Sequence, residues 1–161
     1  LKKQNFRDDI IESVISLKQS KNDLFPVLYE RVNCLNDIKD TNDFKTFLVN
    51  FKRLNNIIKS YKLLDISNVK LNIHLFESSE EQEIYDKSKN LDINLKKYLT
   101  DLEHQGIILK EVINLHYVIH SFFEKIIVNH EDNKIKVNRI KLLTELTERL
   151  LKFSNFHYIE N

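Results

Sequence analysis

An all-α fold, a single bundle of about six helices, is the class this chain predicts, and three observations carry that expectation. Only one glycine and one proline occur in 161 residues, leaving few of the special backbone positions that barrels, sandwiches and glycine-rich phosphate loops need. Apolar residues recur at three- and four-residue steps over long stretches, the period of a helix with one buried face. Apolar residues make up 42 % of the chain and charged residues 30 %, an ordinary balance for a globular protein. At this length one domain buries about two-thirds of its unfolded surface. The expected organisation is one helical domain over residues 1–161, with residues 1–40 as lead-in helices and 41–161 as the main bundle.

The first helix, Phe6 to about Lys18, rests on Ile10, Ile11, Val14, Ile15 and Leu17 at helical spacing. Lys21-Asn22-Asp23 reads as a turn, and Pro26 stands where a first helical turn accepts it. The second helix runs on to about Asn36. After a polar break from Asp37 to Asn42, any of Thr41, Asn42 or Asp43 can cap a third helix that buries Phe44, Phe47, Leu48, Phe51, Leu54 and Ile58. Periodicity weakens between Asp65 and Phe76, where a short strand or an extended loop both fit. Ser78 or Ser79 with Glu81 and Gln82 gives the start signal of a fourth helix, Glu80 to Leu102. The lone glycine, Gly106, stands where a C-cap is preferred. A fifth helix, Ile107 to Val128, is apolar almost all round and is expected to be the most buried. Asn129-His130-Glu131-Asp132 then opens the last helix with acids in its first turn, where the helix dipole favours them. There Ile135, Leu142, Leu143, Leu146, Leu150 and Phe153 form one buried stripe.

Cys34 is the only cysteine. It forms no internal disulfide and supplies no cysteine-based zinc site, so it reads as a small core residue. No apolar run reaches the roughly 18 residues that span a bilayer, and no signal peptide is visible, so a reducing cytoplasm without membrane attachment is the expected setting. The chain starts at Leu1 and contains no methionine, so a fragment or proteolytic core of a longer protein is expected. The Asn and Lys excess is a compositional trait without functional content.

Net charge is +1, but its distribution is uneven. Between Phe44 and Leu64 stand five cations, Lys45, Lys52, Arg53, Lys59 and Lys62, and no acid. Lys45, Lys52, Asn56 and Lys59 share one stripe opposite the apolar face, with Arg53 at its edge. Such density attracts phosphate, and Asn56 adds a side chain able to read a base edge; a plain solvated face is the alternative. Tyr61, beside Lys59 and Lys62, is placed to stack on an unpaired base or simply to be a half-buried tyrosine. Glu77 to Asp92 holds six acids against Lys87 and Lys89, a face expected to point outward or toward a protein partner. In the last helix Lys134, Lys136, Asn138, Arg139 and Lys141 cluster. Arg139 interrupts the apolar stripe, so it requires either a buried acid, for which Asp132, Glu131 or Glu124 are candidates, or an anionic ligand. His116 and His120 stand four apart, but no companion ligand accompanies them, and core or boundary histidines are the simpler account. No catalytic constellation is identifiable.

The string FFEK-IIV-x-x-x-D-x-x-x-x-x-NR-x-x-LL, from Phe122 to Leu143, resembles the C-terminal end of the bacterial glycyl-tRNA synthetase β subunit. FKRLNNIIK, Phe51 to Lys59, is similar to that family's helix with a Lys-Arg pair followed by an asparagine. DDIIESVISL with LYERVNCL looks like the stretch leading into its terminal domain. The resemblance therefore spans nearly the whole chain. It implies an all-helical anticodon-binding domain of the DALR type that positions a glycine tRNA for ATP-dependent glycylation by the holoenzyme. Partners so implied are the tRNA anticodon loop, the rest of the β subunit and the catalytic α subunit. No cofactor is expected in this domain, ATP and magnesium being used elsewhere in the holoenzyme, and the fragment alone is not expected to be catalytic.

Glycine anticodons end in two cytosines, so the resemblance implies readout by groups that fit cytosine. Candidate phosphate anchors are Lys45, Lys52, Lys59 and Lys141; candidate base contacts are Arg53, Asn56, Asn138 and Arg139. Where the family usually carries an arginine and an acid, this chain has His116 and His120, so no role is carried over to that helix. Two other readings stay open: the related domain of another synthetase, such as the arginyl enzyme, and a helical protein-interaction module.

Overall fold

The computed structural model describes residues 6–17 and 25–160. Among them there are six α-helices and no strand: α1 (Asp8–Ile15), α2 (Phe25–Ile38), α3 (Asn42–Ser60), α4 (Ser79–Tyr98), α5 (Gln105–Lys125) and α6 (Asn133–Phe153). The Lys21-Asn22-Asp23 turn lies outside the described residues. α3 and α4 are each packed between α5 and α6, which gives a four-helix core, and α2 joins it against α5 with α1 beside it. Phe44, Phe47, Phe51 and Leu54 of α3 meet Ile84, Leu91, Leu95, Val112, Ile119, Phe122, Leu143, Leu146 and Leu150 in one continuous apolar cluster. α5 buries more residues than any other described helix, because α2, α3 and α4 all pack against it; it is not apolar all round, since Lys110, Asn114, Tyr117, His120 and Glu124 form a stripe open to water.

The helix starts follow from local chemistry. Thr41 accepts a hydrogen bond from the Phe44 amide and caps α3. Ser78 and Glu81 form a reciprocal capping box at α4. Asp132 caps α6 through the Lys134 amide. The acids expected inside the first turn of α6 therefore precede it instead, with Asp132 acting as a hydrogen-bond acceptor at the cap. Ile135 is only half-buried, being one turn short of the core.

Of the two alternatives for residues 65–76 the loop holds: the segment is irregular, with a short 3₁₀ turn (Ile73–Leu75) and no strand. Two other expectations are corrected. α4 ends at Tyr98, and Gly106 is the second residue of α5 with an ordinary negative φ. The carbonyls after α4 are satisfied by side chains: Arg31 Nη2 and Gln105 Nε2 donate to the Leu99 carbonyl at 2.8 and 3.0 Å, and Gln105 Nε2 also reaches the Asp101 carbonyl at 2.7 Å. No left-handed residue is needed when donors replace the usual glycine motif. A Cβ at Gly106 would meet only Cys34 Sγ, at 3.7 Å.

Arg31 is fully buried and also holds Gln105 Oε1 and the Phe153 carbonyl, so α2 is bolted to the end of the core where α4 and α6 finish and α5 begins. After α6 the chain doubles back as a strap over residues 154–160. Phe156 and Ile159 are buried in the core. The strap is tied to α1 by Asn155 N–H to the Ser13 carbonyl (2.7 Å), by Ser154 Oγ to Ser13 Oγ (2.9 Å) and by Glu160 N–H to Asp9 (3.0 Å). No helix is long and apolar enough to cross a membrane among the described residues.

Candidate nucleic-acid interface

α3 turns its phenylalanines inward, so its cations face water. Lys45, Lys52, Arg53, Asn56, Lys59 and Lys62 are all exposed. Among the described residues none of these cations is ion-paired with an acid. Arg53 lies at the α5 edge of the stripe, its guanidinium 4.6 Å from the centre of the Phe123 ring and 3.4 Å from the Phe123 carbonyl. That contact fixes its stem while its charge stays unneutralised. Tyr61 is half-buried against the core, with its amide bonded to Ile58 O at the end of α3.

The start of α6 is built differently. Arg139 is 4 % and Asn138 2 % exposed. Arg139 Nε donates to Glu81 Oε1 at 2.9 Å, Nη2 to Glu77 Oε2 at 2.8 Å, and Nη1 to the Ile127 carbonyl at 3.1 Å. Glu81, itself wholly buried, also accepts from the Glu77 and Ser78 amides. One carboxylate thus caps α4 and neutralises α6. Asn138 clasps Asn72, accepting from its amide at 2.8 Å and donating to its carbonyl at 2.9 Å. Arg139 does have a buried acid, but its partners are Glu81 and Glu77, not Asp132, Glu131 or Glu124. Both residues are consumed within the fold and are not part of the exposed stripe. Lys141, half-buried on α6, makes no ion pair among the described residues.

The acidic stretch is also less open than its sequence suggests. Glu80 pairs with Lys125, Asp92 with Lys96 and Lys152, and Glu81 with Arg139. The hydrogen bond from Lys96 holds the Asp92 carboxyl down at about 2, and Lys152 adds to the effect. Most of this charge is therefore spent joining α4 to α5 and α6, because those helices present cations at matching heights. Glu83 and Asp86 remain exposed.

His116 is buried, and burial pushes its pKa down despite Asp43 at 3.8 Å. His120 is exposed, and no cluster of three metal-ligating side chains occurs among the described residues. Cys34 is half-buried beside Glu30, and burial raises its thiol to about 12, which leaves it an inert thiol.

One contribution to the α3 surface escaped the sequence reading. His157, on the strap, is exposed and lies over α3. Its ring centroid is 5.1 Å from that of Phe51, and Asn55 Nδ2 is 3.2 Å from its Nδ1. The only advance signal was an aromatic pair, Phe156-His157, just past the last helix.

Residues 47–154 match the family model described as "DALR anticodon binding domain". Over 158 residues the chain is 26 % identical to the glycine–tRNA ligase β subunit of Buchnera aphidicola subsp. Schizaphis graminum, covering 98 % of this chain and 21 % of that protein. It is 32 % identical over 121 residues to the protein of that name from Thermodesulfovibrio yellowstonii (75 % and 17 %). The counterpart from Desulfatibacillum aliphaticivorans is 28 % identical over 160 residues (99 % and 22 %). The chain spans about a fifth of the length of these curated relatives.

Proposed function

The chain belongs to the DALR anticodon binding domain family, and from that premise we propose that it holds the anticodon loop of a glycine tRNA for a ligase assembled around it. What supports the tRNA identity is that the three relatives named above are glycine–tRNA ligase β subunits. The observation that carries the reading is the α3 stripe: exposed cations without an acid partner among the described residues, on a helix whose opposite face is core. Lys45, Lys52 and Lys59 bind phosphates, since point charges on flexible stems suit a backbone that carries no sequence information. Arg53 and Asn56 contact bases. Arg53 is held at its edge by Phe123, and Asn56 offers both a donor and an acceptor. Lys141 adds a further phosphate contact from α6. Asn138 and Arg139 act through the fold, by holding residues 72–81 against α6.

Glycyl transfer, with its ATP and magnesium, takes place in other parts of the ligase, including a catalytic partner subunit, in the cytoplasm. The test is competition binding to the assembled ligase. Glycine tRNA should outcompete a transcript whose two anticodon cytosines are replaced, and Lys52→Ala with Arg53→Ala should erase most of that advantage. Equal competition by both transcripts would refute the anticodon assignment. A helical protein-interaction module is less well supported, because the acids that would draw a partner are largely paired internally.

A further inference from the structure

His157 reaches the α3 surface from a segment distant in sequence, and its ring is held on one side, by Phe51 and Asn55 of α3. Phe156 anchors the strap by packing edge-on against Phe47 and Phe51, at 4.9 and 5.6 Å. Asn155 Oδ1 accepts from the His157 amide at 3.3 Å. The ties to Ser13 and Asp9 hold the strap from the far side. These contacts leave the imidazole little freedom, although it faces water.

The hydrogen bond with Asn55 also selects the tautomer. With Asn55 Nδ2 turned toward it at 3.2 Å, Nδ1 of His157 is assigned as the acceptor, and the neutral ring then carries its proton on Nε2. Nε2 has no partner among the described residues. Partial burial and, secondarily, the charge of Lys59 hold the ring below the ordinary histidine value, which favours this neutral form. Beside a stripe of permanent cations, the structure therefore presents one uncharged, oriented N–H donor. Such a group adds little to phosphate attraction, but it discriminates among acceptors.

We propose that His157 is a base-contacting residue of this interface, donating from Nε2 to a ring or carbonyl acceptor of an unpaired anticodon-loop base, with Asn55 as the positioning residue that sets its tautomer. The proposal rests on the α3 reading above and deepens it. It adds a specificity element from the C-terminal strap, and it gives the lead-in helix α1 a task, since α1 ties that strap down.

The experiment measures tRNA binding by the assembled ligase across salt concentrations, for wild type, His157→Ala, His157→Gln, Asn55→Leu and Lys52→Ala. Losing one neutral hydrogen bond and its contact should weaken glycine tRNA about five- to tenfold. The salt slope should stay unchanged, because no charge is removed. His157→Gln, which keeps an N–H donor of similar reach, should recover most of the affinity. Asn55→Leu should weaken binding by itself but add nothing in the His157→Ala background. A His157→Ala protein that binds like wild type, while Lys52→Ala is still weakened, would overturn the His157 assignment and leave the stripe standing. So would a loss that comes with a shallower salt slope, which marks a phosphate contact. Wild-type binding without salt dependence would instead sink the α3 reading itself.

Discussion

The outer face of α3 and the first turns of α6 contain the same residue types, yet the fold uses them in opposite ways. On α3, Lys52, Arg53 and Asn56 face water, and neither cation is paired with an acid among the described residues. On α6, Asn138 and Arg139 sit side by side at 2 % and 4 % exposure, with every strong donor of Arg139 spent on Glu81, Glu77 and Ile127. What separates them is helical phase. Arg139 falls on the same side as Leu142, Leu143 and Leu146, so burying that stripe buries the guanidinium with it. The cations of α3 lie opposite its phenylalanines. Basic side chains therefore divide into those that assemble the domain and those left over for a ligand, and composition alone does not distinguish them.

The largest effect should come from breaking the clamp. Arg139→Ala strands the buried Glu81 carboxylate and should cost about 3–5 kcal/mol in urea unfolding; a loss below about 1 kcal/mol would show that the clamp is not structural. Asn138→Ala removes both backbone bonds to Asn72 and should cost about 1–3 kcal/mol. A fall in tRNA affinity without any loss of stability would move Asn138 to the ligand side of the comparison.

The acids of α4 sharpen the contrast through pH. Asp92 has its carboxyl lowered from 3.8 to about 2 in the folded chain. The unfolded state therefore takes up its proton first. The stabilisation is complete above about pH 4 and is lost as pH falls through about 2. It should amount to about 1–2 kcal/mol once solvent screening is allowed for, and Asp92→Asn should remove that part of the acid sensitivity. Smallest of all is the stability effect of Lys52→Ala, expected within about 0.5 kcal/mol, although the same change should measurably weaken tRNA binding.

Which parts of this were legible beforehand follows from the range of the interactions involved. The caps at Thr41 and Ser78 are local, and so is the buried face of α3, so residue spacing narrows each cap to two or three neighbouring candidates; it sets Asp132 one step too far, inside α6 and not at its cap. That Arg139 needs a partner was also readable, since an arginine in an apolar stripe demands one. Its identity was not, because Glu81 lies 58 residues away and already looked accounted for as a capping residue. Gly106 misled for the converse reason: a lone glycine suggests a helix end, whereas here Arg31 and Gln105 supply the donors from distant elements. His157 was hidden because its position depends on the strap folding back over α3, which no periodicity signals.

The account stands on the claim that the exposed cations of α3 grip nucleic acid. Its most direct test is the salt dependence of glycine-tRNA binding by the assembled ligase carrying Lys45→Ala, Lys52→Ala and Lys59→Ala together. Removing three phosphate contacts should lower the slope of log affinity against log salt by about 2 to 3, with unfolding stability unchanged. An unaltered slope in a stable triple variant would contradict it.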